Sequence, residues 1–87
     1  MEVKCTKTFR STKGKTVTVE AVIDSGKVRE VKVTGDFFVT DDRAFEEFEA
    51  SLNGKDCNSL KSLRPPQLML GASEEEVIRA LLQCLPC

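Results

Sequence analysis

The 87-residue chain has no histidine, tryptophan or tyrosine, so its only aromatic side chains are phenylalanines. Histidine most often carries general acid–base work near neutral pH, and without it the commonest catalytic triads are excluded. Glycine is sparse and scattered: Gly14, Gly26, Gly35, Gly54 and Gly71 match no G-x-x-x-x-G-K-[ST] pattern, which argues against a self-contained nucleotide enzyme. No apolar run approaches the roughly 20 residues that cross a bilayer. Met1-Glu2-Val3-Lys4 does not resemble a secretory signal. A cytoplasmic protein without membrane contact is expected.

What is present fits one compact domain. The apolar fraction of 40% is too high for a disordered tail, and 13 basic against 14 acidic residues, a formal charge of −1, does not favour nucleic acid. The charge is uneven: residues 1–35 carry eight Lys or Arg against four acids, and residues 36–87 five against ten. Lys4, Lys7, Arg10, Lys13 and Lys15 crowd the first strand and its turn. They suit either an acidic surface or phosphate, or a lysine-decorated edge that resists aggregation. Glu46, Glu47, Glu49 and Glu74 to Glu76 occur on helical stretches, where solvent exposure and helix initiation account for them without catalysis.

Val17, Val19, Ala21 and Ile23 alternate with Thr18, Glu20 and Val22, the period that lays one face of a strand on a core. Upstream, Val3, Cys5 and Phe9 share one parity, and Ser11-Thr12-Lys13-Gly14 supplies the turn of a hairpin. Asp24-Ser25-Gly26-Lys27 is a second turn. Val31, Val33 and Phe37 continue the alternation into a third strand, in which Gly35 marks a bulge or the close approach of another backbone. After Val39 the period changes. Ala44, Phe45, Phe48 and Leu52 fall at helical spacing behind a cap drawn from Thr40, Asp41 or Asp42, and Asn53-Gly54 ends the helix. Cys57 to Leu63 allows a further turn or two before Arg64-Pro65-Pro66 stops it. Ser73 and Glu76 form a capping box ahead of Val77, Ile78, Leu81, Leu82 and Leu85, which share one face of a terminal helix. The order predicts an α+β domain: a three-stranded antiparallel β-meander followed by two or three helices packed on one face.

In a cytosolic setting Cys5, Cys57, Cys84 and Cys87 are expected to be reduced and packed as small apolar groups. Cys84-Leu85-Pro86-Cys87 has the spacing of a redox or metal pair, but no helix follows it and no second pair completes a zinc site, so no metal is expected. Phe37 and Phe38 need separate explanations, because neighbouring strand residues point to opposite faces. One enters the core, and the other covers a helix start or meets a partner. Asp36 is expected to satisfy backbone donors at the strand-to-helix junction.

Several pieces in order resemble the small C-terminal accessory domain of lipoate-protein ligases, and specifically its free-standing archaeal form. They are Gly26-Lys27-Val28 with Val31 and Val33, Gly35-Asp36-Phe37-Phe38, Leu52-Asn53-Gly54, and Leu70-Gly71-Ala72-Ser73-Glu74-Glu75-Glu76-Val77 leading into Leu81-Leu82. The match spans most of the chain, while Pro65-Pro66 and Cys84 to Cys87 stand outside it. The resemblance implies an accessory domain over residues 1–87 with no catalytic residue and no cofactor of its own. Its partner would be a large catalytic subunit that binds ATP, magnesium and lipoate, makes lipoyl-AMP, and transfers lipoyl to a lysine of an acceptor domain. Gly35, Asp36, Phe37 and Phe38 would be the family motif and partner interface, and Gly54, Gly71, Ser73 and Glu76 the structural turns and caps. The rival readings are a thiol-based metal or iron-sulfur carrier depending on Cys84 and Cys87, and a general protein-interaction domain.

Overall fold

In a computed structural model that describes residues 1–87, the period-two alternation becomes three antiparallel strands, β1 (Glu2–Arg10), β2 (Thr16–Asp24) and β3 (Lys27–Gly35), in the order β1-β2-β3. The central strand β2 buries Val17, Val19, Ala21 and Ile23 on one side. The second turn is the tightest kind. Ser25 and Gly26 have φ of +54° and +77°, the two consecutive left-handed residues that a type I′ hairpin needs.

Gly35 is the site of a close approach and not of a bulge. A Cβ at Gly35, where φ is +148°, would stand 2.2 Å from the Thr16 carbonyl oxygen. The bulge lies earlier in β3: Val22 pairs with Glu30 and Ile23 with Val28, leaving Arg29 as the extra residue. Its guanidinium meets Glu2 on β1.

The helical half follows as α1 (Asp42–Ser51), α2 (Cys57–Ser62) and α3 (Glu74–Leu82). Each start is closed by its own polar side chain. Asp41 accepts from the Ala44 N–H at 3.0 Å, Asp56 from Ser59 at 2.8 Å, and Ser73 with Glu76 makes the reciprocal capping box. Phe45, Phe48 and Leu52 of the α1 region, Leu60 of α2, and Val77, Ile78 and Leu81 of α3 close over the valines of β2 and β3, so the helices cover one face of the sheet as expected. α3 stops at Leu82, yet Leu85 beyond it is still buried.

Two features depart from the expectation. Phe38–Val39 (β4) pairs with Met69–Leu70 (β5) in a second, two-stranded sheet whose strands are too short to show any period. All four cysteines are oxidised, as Cys5–Cys84 and Cys57–Cys87. The reduced-thiol reading and the Cys84/Cys87 thiol site are therefore corrected. Once α3 has ended, the two neighbouring cysteines reach different elements, Cys84 to β1 and Cys87 to α2, and neither is left as a thiolate.

Candidate partner-docking site

The segment from Gly35 to Phe38 is where the sheet hands the chain to the helices. Gly35 lets the backbone cross tightly against β2, and the Asp36 N–H then donates to the Thr16 carbonyl at 3.0 Å. The Asp36 carboxylate itself accepts no hydrogen bond and lies exposed, so its expected role at the junction is not the one the structure shows. Asp41 and Glu49 fill it instead. Glu49 Oε2 accepts from the Val33 N–H of β3 at 3.0 Å.

Phe37 and Phe38 diverge as alternation demands. Phe37 is half-buried with its ring centroid 5.9 Å from that of Phe45, which in turn lies 5.9 Å from Phe48. Phe38, the first residue of β4, is exposed. Directly across the ladder from it stands Leu70, also exposed, while Val39 and Met69 face the core. Beside Phe38 an open hollow of about 590 Å³ lies between β3–β4 and α1, with Phe37 and Phe45 among its apolar lining and Asp42, Glu46 and Glu49 as its charged groups. Burial pushes the Glu49 carboxyl above its ordinary value, the Val33 hydrogen bond opposes this, and neighbouring Glu46 adds to the rise.

The residues assigned to turns and caps gather elsewhere. The Gly54 N–H donates to the Val28 carbonyl at 2.6 Å, so the chain leaving α1 seals the outer edge of β3. Gly71, Ser73 and Glu76 meet the first hairpin turn: buried Ser11 donates its hydroxyl to the Gly71 carbonyl at 2.5 Å, and the Thr12 N–H donates to Glu76 Oε2 at 3.1 Å. They hold the N-terminus of α3 against the sheet.

Leu70 and Glu74 are the residues whose importance sequence reasoning missed. Glu74, read as an exposed helix-starter, is 1% exposed and accepts from the Leu68 and Met69 N–H groups at 2.8 and 3.4 Å, which holds β5 in place beside β4. Nothing distinguishes it in sequence from the Glu75 that follows. Leu70 carries no signal until its pairing with Phe38 is known.

The model describing the C-terminus of bacterial lipoate protein ligases matches residues 1–65, from β1 through α2 and including Gly35 to Phe38. No curated protein matches the chain. One chain in the structure of an archaeal lipoylation system, a bi-partite lipoate protein ligase and its E2 lipoyl domain from Thermoplasma acidophilum, superposes with a TM-score of 0.67 at 20% identity. The likeness covers 93% of this chain and 97% of that one, and so reaches beyond the 65 residues of the family match. At that identity it speaks for the fold, and the family match for descent: the chain belongs to the lipoate protein ligase C-terminal family.

Proposed function

We propose that this chain is the accessory subunit of a two-part lipoate-protein ligase. It docks on a larger catalytic subunit, and the pair carries out ATP-dependent activation of lipoate to lipoyl-AMP before the lipoyl group passes to a lysine of an acceptor domain. One observation carries this reading: the chain matches a family described as the C-terminus of bacterial lipoate protein ligases, and its fold also covers 97% of a chain from a bi-partite ligase system.

The residues of this chain offer ATP no phosphate cradle. Every helix start already carries an acid or a capping box, Asp41, Asp56, and Ser73 with Glu76, which disfavours a phosphate there. The hollow beside Phe38 carries carboxylates, which repel it. We place ATP, magnesium and lipoate in the catalytic subunit. The accessory chain then acts by binding one conformation of that subunit better than another, since a partner shifts an equilibrium only by its differential affinity.

No helix is long and apolar enough to cross a membrane, and we place the complex in the cytoplasm. Disulfides are rare in cytosolic proteins outside hyperthermophiles, so with two bridges this chain would be one of the exceptions. The test is lipoate-dependent ATP–pyrophosphate exchange with the catalytic subunit alone, this chain alone, and both. Exchange is expected to rise only on mixing, and no rise overturns the proposal.

A further inference from the structure

Phe38 is 76% exposed and Leu70 55%, and the two are directly opposed across β4 and β5. Opposed positions bring such side chains within contact reach, so they form one apolar ridge on the solvent face of the ladder. The ladder does not depend on them for its own packing, because Val39 and Met69 supply its core-facing side. An aromatic ring left in water next to a leucine is the composition that dominates the centres of protein interfaces.

Phe38 also lines a hollow that continues from this ridge. Its apolar floor carries acids only, Asp42, Glu46 and Glu49, and no Lys or Arg lines it. The nearby Arg43 extends toward Glu47, at 3.8 Å, on the exposed side of α1. Other depressions carry cations: the open face of the sheet balances Lys4 and Lys32 against Glu20 and Glu30, and the α2–α3 groove sets one acid, Glu75, among Lys61, Arg64 and Arg79. An apolar floor with an anionic wall suits a Lys or Arg whose methylene stem lies on the rings while its head meets the carboxylates.

We propose that Phe38, Leu70 and the acid-walled hollow are the surface that docks on the catalytic subunit, with Phe38 entering an apolar socket and a Lys or Arg of that subunit entering between Asp42, Glu46 and Glu49. This rests on the accessory-subunit reading and gives it a place on the molecule. The incoming cation would also offset the repulsion that Glu46 exerts on half-buried Glu49.

The experiment is calorimetric titration of the catalytic subunit with the disulfide-intact native chain and four variants, at low and high salt. Native chain is expected to bind, and more weakly at high salt. Phe38→Ser and Leu70→Ser are each expected to weaken binding by about tenfold or more with unchanged melting, both side chains being exposed. The double variant Asp42→Lys with Glu46→Lys is expected to weaken it similarly and to abolish the salt dependence. Glu30→Lys, on the open face of the sheet, is expected to stay within about twofold of native. If native chain fails to bind, the accessory-subunit reading falls and this inference with it. If native chain binds while the Phe38, Leu70 and acid variants bind equally well, or the Glu30 variant loses as much as they do, the docking surface alone is overturned.

Discussion

Reducing the two disulfides is expected to leave the domain marginal or unfolded. The cysteines are 79 positions apart in one bridge and 30 in the other. Closing loops of those lengths removes roughly 4.5 and 3.7 kcal/mol of unfolded-chain entropy at 25 °C. The loops interlock, since Cys57 lies inside the first and Cys87 outside it, so the pair contributes less than the sum. Against this, a domain of this length has a total stability of only about 4–13 kcal/mol. Urea unfolding followed by circular dichroism, with and without a phosphine reductant, reads the difference. The paired variants Cys5→Ala with Cys84→Ala, and Cys57→Ala with Cys87→Ala, separate the bridges. Alanine is the right replacement at Cys57, which is buried, because serine there would strand a hydroxyl. Loop length alone makes the first pair costlier by about 0.8 kcal/mol. Thiol titration in denaturant should find none before reduction and all four cysteines after it. A urea midpoint that reductant does not move, or free thiols before reduction, refutes the reasoning.

Substitutions at four positions test the rest of the architecture. Glu74→Ala strands the Leu68 and Met69 N–H groups and is expected to cost about 2–3 kcal/mol in urea unfolding, with Glu74→Gln, which keeps an acceptor, milder. Gly35→Ala drives a methyl group into the Thr16 carbonyl from a backbone conformation that only glycine adopts freely. A loss of at least about 2 kcal/mol is expected, and an unchanged midpoint would contradict the close approach. Asp36→Ala, by contrast, is expected to leave the melting temperature within about 2 °C, because its carboxylate holds nothing. Burial holds Glu49 above its ordinary 4.5, so its contribution to stability is present in acid and is lost as pH rises through the folded value. Glu49→Gln, which keeps an acceptor for Val33, is therefore expected to melt higher than native at pH 7 and to lose that advantage below about pH 4. A lower melt at pH 7 would show that the ionised hydrogen bond outweighs the desolvation.

The parts of the fold that were legible are those in which one residue's environment depends on its near neighbours. The valine alternation of β2, the Ser25-Gly26 turn, the Phe45–Phe48–Leu52 stripe and the Ser73/Glu76 box are all written within a few positions of each other. What was not legible joins distant positions. Pairing of Phe38 with Leu70, of Cys5 with Cys84, and of Glu74 with the backbone of β5 depends on how the helical layer folds back, and no periodicity encodes it. The candidate site was half visible for the same reason. Phe38 stood out because Phe37 beside it had to face the other way, whereas Leu70 and the carboxylates of α1 join it only in three dimensions.

The sheet itself is poorly suited to docking by strand addition. The outer edge of β3 is closed by the Gly54–Val28 hydrogen bond and by Glu49, while β1, which has no partner strand on its outer side, carries Lys4, Lys7 and Arg10, charges that discourage a further strand. A side-chain anchor such as Phe38 is left to do the work, and its contribution divides between holding the catalytic subunit and selecting its conformation. The division is measurable. If Phe38 contacts all conformations of the subunit equally, an excess of the Phe38→Ser chain restores pyrophosphate exchange to the native plateau, because only occupancy was lost. If the ring engages the adenylating conformation alone, the plateau itself stays lower at any concentration, since the shift available from a partner is bounded by its differential affinity. The second outcome is expected, because uniform binding would bring the subunits together without favouring one conformation. A full plateau would show that Phe38 is only a tether.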